Sequence, residues 1–199
     1  KKTDILVTTV FNLVHKKFHS FTHRSESQSL SLVAVGGFGR GEMAPYSDID
    51  LLFLSNKRQT GWAKSVVESV LYLLWDLKFK VGHSSRTISD CVQLGLDDLT
   101  IRTSMLEKRY LCGSRDLFEE LETTLKKRVF SRKASNFVEG KLSERAERHL
   151  KHANARYMLE PNIKEGKGGL RDLHTLYWIS KYIYSCLLYT SPSPRDREK

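Results

Sequence analysis

The feature that most constrains the fold is a pair of short apolar runs joined by a glycine-rich connector that ends in two aspartates. The first run, residues 30–35, is rich in β-branched and apolar side chains and leads directly into Gly36-Gly37. This pattern predicts a strand followed by a tight turn. The second run opens around Asp48 and Asp50. The sequence therefore predicts two neighbouring strands, with carboxylates at the start of the second.

The spacing of the two aspartates indicates a cation site. Side chains two residues apart in a strand point to the same face, so the carboxylates of Asp48 and Asp50 are expected to converge. Paired carboxylates repel each other unless a cation lies between them, and hard oxygen ligands favour Mg²⁺ or Mn²⁺. The opposite face of the strand is expected to be core, formed by Ile49, Leu51 and Phe53.

The two glycines complete a pattern typical of phosphate chemistry. Gly36 and Gly37 have no Cβ, so their backbone can approach a phosphate closely. A dinucleotide-binding fingerprint does not fit, because its third glycine would fall at Glu42, and no Gly-Lys-Ser/Thr follows for a Walker A loop. A phosphate-binding turn followed by an Asp-x-Asp clamp favours phosphoryl or nucleotidyl transfer.

The rest of the chain predicts an α+β first half and an all-helical second half. Hydrophobic spacing indicates an opening helix over 4–18, a helix over 62–77 and a third strand over 79–88. After Gly95 only helices are predicted, over residues 97–111, 115–130, 135–158 and 170–185. The fold class is therefore α+β, a small mixed sheet with helices followed by a helical segment.

The net charge of +10 is concentrated in one stretch. Residues 126–156 hold ten Lys/Arg against three acids, which gives +7 in a predicted helical arm. This basic window is either a solvated helix face or a surface for phosphate or a partner. Only Phe130 and Phe137 are aromatic within it, which argues against a nucleic-acid surface.

Composition excludes several other classes. No run of about 18 apolar residues is present, so no membrane span is expected. The three cysteines have no C-x-x-C spacing, which argues against a disulfide framework or zinc site and favours the cytoplasm.

The chain does not begin with Met, which suggests a fragment. Residues 186–199 break the helical pattern and are rich in Ser and Pro, so we expect a non-native or disordered tail.

The motif resembles a known family of enzymes. Apolar-Gly-Gly followed by Asp-apolar-Asp is the pattern of the DNA polymerase β-like nucleotidyltransferase superfamily. The fuller string GGFGRGEMAPYSDIDLL is similar to the bifunctional uridylyltransferase/uridylyl-removing enzymes that modify the PII nitrogen-signalling protein. Two later stretches support the resemblance, VGHSSRT over residues 81–87 and EPNIKEGKGGLRDLH over 160–174. It covers residues 5 to 185.

The resemblance implies a reaction and a site. The family transfers UMP from UTP to a tyrosine of PII and releases pyrophosphate. Asp48 and Asp50 would then be the catalytic metal ligands, and nucleotide contacts would come from Gly36, Gly37, Arg40, Ser47 and Arg86. For three of these a structural role is an open alternative: a turn residue at Ser47, an ion pair with Glu42 at Arg40, and a satisfied strand-end polar residue at Arg86.

Two departures from the family pattern stand out. The superfamily supplies a third carboxylate from a later strand, but residues 79–88 contain none, and Asp76, Asp98 and Glu107 are the candidates. No adjacent His-Asp pair is present, so neither the uridylyl-removing hydrolase nor the glutamine-sensing domains of the family are expected. A fragment that is inactive by itself is an open alternative.

The expected organisation follows from the resemblance. We expect a nucleotidyltransferase core over 1–113, a helical domain over 114–185 and the tail over 186–199. Mg²⁺ (or Mn²⁺), UTP and PII are the expected cofactor, substrate and protein partner. The alternatives are a related protein adenylyltransferase and a basic nucleic-acid-binding module with a vestigial site.

Overall fold

The structure is a computed structural model that describes residues 2–19, 30–43, 47–57, 61–151 and 162–184. The predicted tail over 186–199 lies outside the described residues. The chain divides into two compact units, residues 1–131 and 132–199. The first unit contains all the described strands. Its elements in chain order are α1 (Lys2–His19), β1 (Leu30–Ala34), α2 (Gly36–Arg40), β2 (Ile49–Ser55), α3 (Gly61–Asp76), β3 (Val81–Thr87), α4 (Ile88–Asp97), α5 (Leu99–Leu106), β4 (Arg109–Gly113) and α6 (Arg115–Arg128).

The four strands form one mixed sheet in the order β3-β2-β1-β4. β1 is antiparallel to β2 and to β4, with a register shift opposite Leu32/Val33 on the β4 side. β2 and β3 are parallel and are joined through α3, as a parallel pair requires. Their register pairs Asp50 with Gly82 and continues without a break to Ser55 and Thr87. The predicted α+β fold with a small mixed sheet is confirmed.

Helices cover both faces of the sheet, which explains why β1 and β2 are apolar almost throughout. One face packs against α1 and α3 and includes Ile49, Leu51 and Phe53, the three residues predicted as core. The other face packs against α4, α5 and α6 and includes Leu52 and Leu54. Asp50 shares this second face with Leu52 and Leu54, because side chains alternate along a strand. A carboxylate therefore stands at the start of an otherwise buried row.

Two predicted elements differ from the structure. The tight turn expected after β1 is the five-residue helix α2, which ends at Gly41, where the backbone is left-handed (φ 77°). The helix predicted over 97–111 ends at Leu106, and the residues that follow form β4. Residues 109–111 were included in that helix, but antiparallel pairing with β1 makes them part of a strand.

The first compact unit extends beyond the predicted end of the core at Gly113. α6 packs on the sheet through Leu117, Phe118, Leu121 and Leu125, and it remains in this unit up to Ser131. Lys126, Lys127 and Arg128 form its last turn, where cations favour the negative end of the helix dipole. The basic window is thus split between the two units instead of forming one helical arm.

The second unit contains two described helices, α7 (Ala134–Lys151) and α8 (Leu170–Tyr184). Phe137 on α7 stacks on Tyr182 of α8 with ring centroids 4.2 Å apart. Lys141 lies 4.9 Å from the centroid of the Trp178 ring and its Nζ is 2.8 Å from Glu144. A cation of the basic window is therefore buried within the unit and not presented to a partner.

Asp172 joins the two helices of the second unit. It accepts hydrogen bonds from the Gly168 N–H (2.8 Å) and from Arg148 (2.6 Å), and it contacts His149 Nε2 at 2.9 Å. Burial acts to raise the pKa of Asp172, but these contacts outweigh it and hold the pKa at about 2. Asp172 is thus a carboxylate in the first turn of α8 that is engaged in ion pairs, and Gly168 (φ 75°) lies in the turn that precedes this helix.

Within the described residues, no helix is both long enough and apolar enough to cross a bilayer.

Candidate functional site

The site lies at the start of β2, where the two aspartates flank Ile49. Asp48 comes directly before the strand and is exposed, whereas Asp50 is its second residue and is half-buried. The backbone around Asp50 is fixed from both sides. The Asp50 carbonyl accepts from the Val35 N–H at 3.1 Å, and the Ile49 N–H donates to the Lys80 carbonyl at 2.8 Å.

Two glycines leave the room that the Asp50 carboxylate occupies. A Cβ on Gly36 would lie 2.9 Å from Asp50 Oδ2, and a Cβ on Gly82 would lie 2.5 Å from Asp50 Oδ1. Both separations are shorter than a real Cβ contact, so any larger residue at either position would displace the carboxylate. Gly36 also has a positive φ of 58°, which favours glycine on backbone grounds. We call Gly36, Asp50 and Gly82 the glycine cradle.

The charge balance around the cradle is negative. The pKa of Asp50 is raised above its ordinary value, first by burial and then by the negative charges of Asp48 and Glu107. The negative charge of Asp48 thus acts on Asp50, while the convergence of the two carboxylates on one cation stays a prediction. A bound cation would offset the repulsion between these carboxylates.

The helix α2 brings the Gly36-Gly37 turn next to Asp50. The first N–H groups of any helix have no partner within it, and those of Gly36 and Gly37 occupy this position. At Gly37 a Cβ would meet only Arg40 Nη2, at an ordinary 3.7 Å. Packing within the protein therefore does not demand a glycine there. The predicted close approach of a phosphate would explain why residue 37 is a glycine.

Arg40 has a structural partner that the sequence did not reveal. Its Nη1 pairs with Glu107 Oε1, and its Nε lies 3.7 Å from Glu42. The side chains of Arg40 and Glu107 are only 10% and 3% exposed. The Arg40–Glu42 pair considered in the sequence is present, but the buried partner is Glu107. This pair ties α2 to the segment that precedes β4.

Ser47 and Arg86 lie at different distances from the cradle. Ser47 is exposed and directly precedes Asp48, so it adjoins the site. Arg86 pairs in register with Leu54, four residues along β2 from Asp50. At about 3.3 Å per residue, the α-carbon of Arg86 therefore lies roughly 13 Å along the strand direction from that of Asp50. Arg86 is close enough to Asp98 to help lower the pKa of that carboxyl, after the larger effect of the Ile101 N–H.

The three candidates for a third carboxylate have different positions and partners in the structure. Asp98 caps α5, accepting from the N–H groups of Thr100 (2.6 Å) and Ile101 (3.0 Å). Asp76 is the last residue of α3. Glu107 acts electrostatically on Asp50, but it is engaged with Arg40. The described residues contain no group of three or more His, Cys, Asp and Glu side chains placed to hold a metal ion.

The pair Asp48 and Asp50 nevertheless fits Mg²⁺. This ion is usually bound by one or two carboxylates together with substrate phosphates and water, so two protein ligands suffice. The fit rests on the chemistry of the donors and on the cradle, which confines the Asp50 carboxylate two residues from the exposed Asp48.

Gly82 is a residue of the site that sequence reasoning missed. Glycine within a strand often marks a close approach of another group, and this signal was present at Gly82. Glu107 was one of three candidates for a third carboxylate, and only the fold shows that it acts on Asp50 and pairs with Arg40.

Comparisons with known proteins address the same regions. Residues 16–111 match the family described as nucleotidyltransferase domain, and residues 136–195 match the family described as GlnD PII-uridylyltransferase. Among curated proteins, the bifunctional uridylyltransferase/uridylyl-removing enzyme of Ruegeria pomeroyi is 54% identical over 182 residues, covering 92% of this chain and 20% of the relative. The enzyme of the same description from Cereibacter sphaeroides is 52% identical over 181 residues, covering 91% and 20%.

The chain thus spans about one fifth of the length of these curated relatives. Among solved structures, a toxin-antitoxin crystal structure with AMP-PNP covers 66% of this chain and 90% of its own, at 18% identity and a TM-score of 0.31. That overall likeness is too low to carry a conclusion on function.

Proposed function

The chain belongs to the nucleotidyltransferase family of the bifunctional uridylyltransferase/uridylyl-removing enzymes, and from this we propose that it carries their uridylyltransferase site. The reaction is the transfer of UMP from UTP to a tyrosine hydroxyl of the PII signal protein in the cytoplasm. The phenolic oxygen attacks the α-phosphorus of UTP. The bond from this phosphorus to the bridging oxygen breaks, and pyrophosphate leaves.

The observation that carries the proposal is the glycine cradle next to Asp48. Asp50 is held between Gly36 and Gly82, and the negative charge of Asp48, two residues away, helps to raise its pKa. Two neighbouring carboxylates are what a metal-dependent transfer needs. Asp48 and Asp50 would hold Mg²⁺ (or Mn²⁺), which when bound neutralises phosphate charge that develops during transfer.

The chain's other residues have defined tasks in this proposal. Gly36 and Gly37 offer backbone N–H groups to the triphosphate, and Ser47 adjoins the same position. Arg40 holds α2 in place through Glu107. Arg86, in register with Leu54, would reach only the far part of a bound nucleotide. Direct nucleotide contacts from Arg40 and Arg86 remain predictions.

Labelled UMP transfer tests the proposal. The chain is incubated with PII, Mg²⁺ and UTP labelled at the α-phosphate, and label on PII is measured. Asp48→Asn is expected to lower the rate by at least about 100-fold, because a metal ion contributes several kcal/mol to such a transition state. Asp116→Asn, an exposed acid in the first turn of α6, is the matched control and should leave the rate unchanged.

Two outcomes would contradict the proposal. No label on PII with wild-type chain, under conditions where a full-length relative labels it, would remove the assigned reaction. Unlabelled ATP that competes as well as unlabelled UTP would favour the adenylyltransferase alternative.

A further inference from the structure

The outer edge of β3 is a regular strand edge next to the site. β3 is the end strand of the sheet, and in the described part of the chain it pairs with β2 alone. Its seven residues stay in register from Val81 to Thr87. The opposite edge strand, β4, has five residues and a register shift. Edge strands offer unpaired N–H and C=O groups to an added strand, so β3 is the better template of the two.

The direction of the backbone groups on β3 can be read from its pairing. The Ile49 N–H donates to the Lys80 carbonyl, so the backbone of Lys80 faces β2. Groups alternate along a strand, and Gly82 and Ser84 therefore face β2 as well. The N–H and C=O groups of His83 and Ser85 face outward, toward the position of an added strand.

Gly82 leaves a gap that leads from this edge to Asp50. Neighbouring strands lie about 4.8 Å apart, so a residue on an added strand opposite Gly82 has its α-carbon roughly 10 Å from that of Asp50. Gly82 places no side chain between them, and Asp50 Oδ1 already points over it, 2.5 Å from where a Cβ would be. A long side chain such as tyrosine spans this distance from the edge, whereas serine does not.

Exposed aromatic side chains flank the other face of the same edge. Tyr72 and Trp75 on α3 are 63% and 43% exposed, with ring centroids 5.7 Å apart. Trp75 lies 6.3 Å from the His83 ring, edge to face. His83 is on the face of β3 opposite to the one that Gly82 shares with Asp50. We call Tyr72, Trp75 and His83 the aromatic flank.

The charge of the edge favours a different protein over a second copy of this chain as its partner. Residues 78–89 contain Lys78, Lys80 and Arg86 and no acid. A second copy of this chain would bring the same cations to both sides of the pairing, which is unfavourable. An acceptor segment without cations, or with acids, meets no such repulsion.

We propose that the outer edge of β3 docks the protein substrate as an added strand, with the acceptor tyrosine opposite Gly82 and its neighbours against the aromatic flank. This rests on the proposed function for the identity of the acceptor. The docking role of β3 follows from three features that lie together: a free strand edge, the gap at Gly82 and Asp50. The same arrangement explains why a tyrosine would be modified in preference to a shorter hydroxyl side chain.

The test is PII binding and UMP transfer by variants of the edge. Ser85→Pro removes one outward N–H, and proline is tolerated at such an edge position because no ladder bond to β2 is lost. Ser85→Ala keeps that N–H and is the matched control. We expect Ser85→Pro to raise the Kd and the KM for PII about tenfold, while the KM for UTP and the kcat at saturating PII stay at wild-type values. Ser85→Ala should behave as wild type.

A second pair of variants keeps the proposal testable if Ser85→Pro fails to fold in a thermal unfolding control. Trp75→Gln removes part of the aromatic flank and should raise the Kd for PII severalfold. Leu73→Gln is its control, since Leu73 is similarly exposed (42%) on the same helix but lies about 200° around its axis.

The outcomes separate the two proposals. Unchanged PII affinity in both Ser85→Pro and Trp75→Gln overturns the docking proposal, as does wild-type chain that binds no PII. A wild-type dimer that Ser85→Pro converts to a monomer also overturns it, because a second copy then occupies the edge. Intact docking without UMP transfer overturns the proposed function alone.

Discussion

Replacing Gly82 by alanine tests whether the glycine cradle positions Asp50. A Cβ at this position would lie 2.5 Å from Asp50 Oδ1, and a real Cβ does not approach closer than 3.0 Å. The carboxylate must therefore retreat by at least the difference, 0.5 Å. The obstructed atom is the end of a side chain and not backbone, so the carboxylate moves while the strand stays in place.

The expected effect is large on activity and small on stability. A misplacement on the order of 1 Å in a catalytic group costs about 100-fold in rate, or about 2.7 kcal/mol of activation free energy. A retreat of half that distance or more should therefore cost at least about tenfold, or about 1.4 kcal/mol. Alanine is better suited to a strand than glycine, so the free energy of unfolding should change by less than about 1 kcal/mol. Initial rates of labelled UMP transfer to PII and urea denaturation curves measure the two effects.

Gly61→Ala is the matched control for this substitution. Gly61 begins α3, and a Cβ there would meet no heavy atom within 4 Å. Its rate should equal that of wild type. A Gly82→Ala chain that keeps the wild-type transfer rate would refute the claim that Gly82 positions the Asp50 carboxylate. A loss of rate accompanied by unfolding would refute the claim that the effect is local.

Three further predictions concern stability and reactivity. Glu107→Gln should lower the free energy of unfolding by about 3 kcal/mol, because the Arg40 guanidinium stays buried without its carboxylate; a loss below 1 kcal/mol in urea titrations would contradict this. Because the pKa of Asp172 is lowered to about 2 from 3.8, its stabilisation is present above about pH 4 and is lost toward pH 2. The free energy of unfolding should fall by about 2 kcal/mol over this range. Denaturation curves of Asp172→Asn, measured at the same pH values, should not show this fall. Burial raises the pKa of Cys91 to about 11 and that of Cys112 to about 12, so neither thiol should react with iodoacetamide at pH 8 in the native state, which mass spectrometry would show.

Local patterns were sufficient for most of the fold. The apolar run into Gly36-Gly37 and the run that follows Asp48 predicted β1 and β2, because a buried strand leaves a short continuous apolar signature. Helical spacing likewise predicted α1, α3 and α6 close to their observed bounds. The aspartate spacing predicted that the carboxylates of Asp48 and Asp50 converge, and this stays a prediction; the structure adds that burial and the charge of Asp48 raise the pKa of Asp50.

The remaining features depend on contacts between distant parts of the chain. Most of β4 fell within the helix predicted over 97–111, and only pairing with β1 makes these residues a strand. The Arg40–Glu107 pair joins residues 67 positions apart, so no local pattern could reveal it. Gly82 was visible as a glycine in a strand, but its role follows only from the register that places it opposite Asp50.

The measurement that tests the central claim most directly is the metal dependence of UTP binding. Calorimetric titration of wild-type chain and Asp50→Asn with UTP, each in Mg²⁺ and in EDTA, reports on the site without requiring a protein substrate. Wild type should bind UTP at least about tenfold more tightly with Mg²⁺, and Asp50→Asn should lose this difference. Equal UTP affinity with and without Mg²⁺ in wild type, or an undiminished Mg²⁺ effect in Asp50→Asn, would contradict the assignment of Asp48 and Asp50 as a metal–nucleotide site.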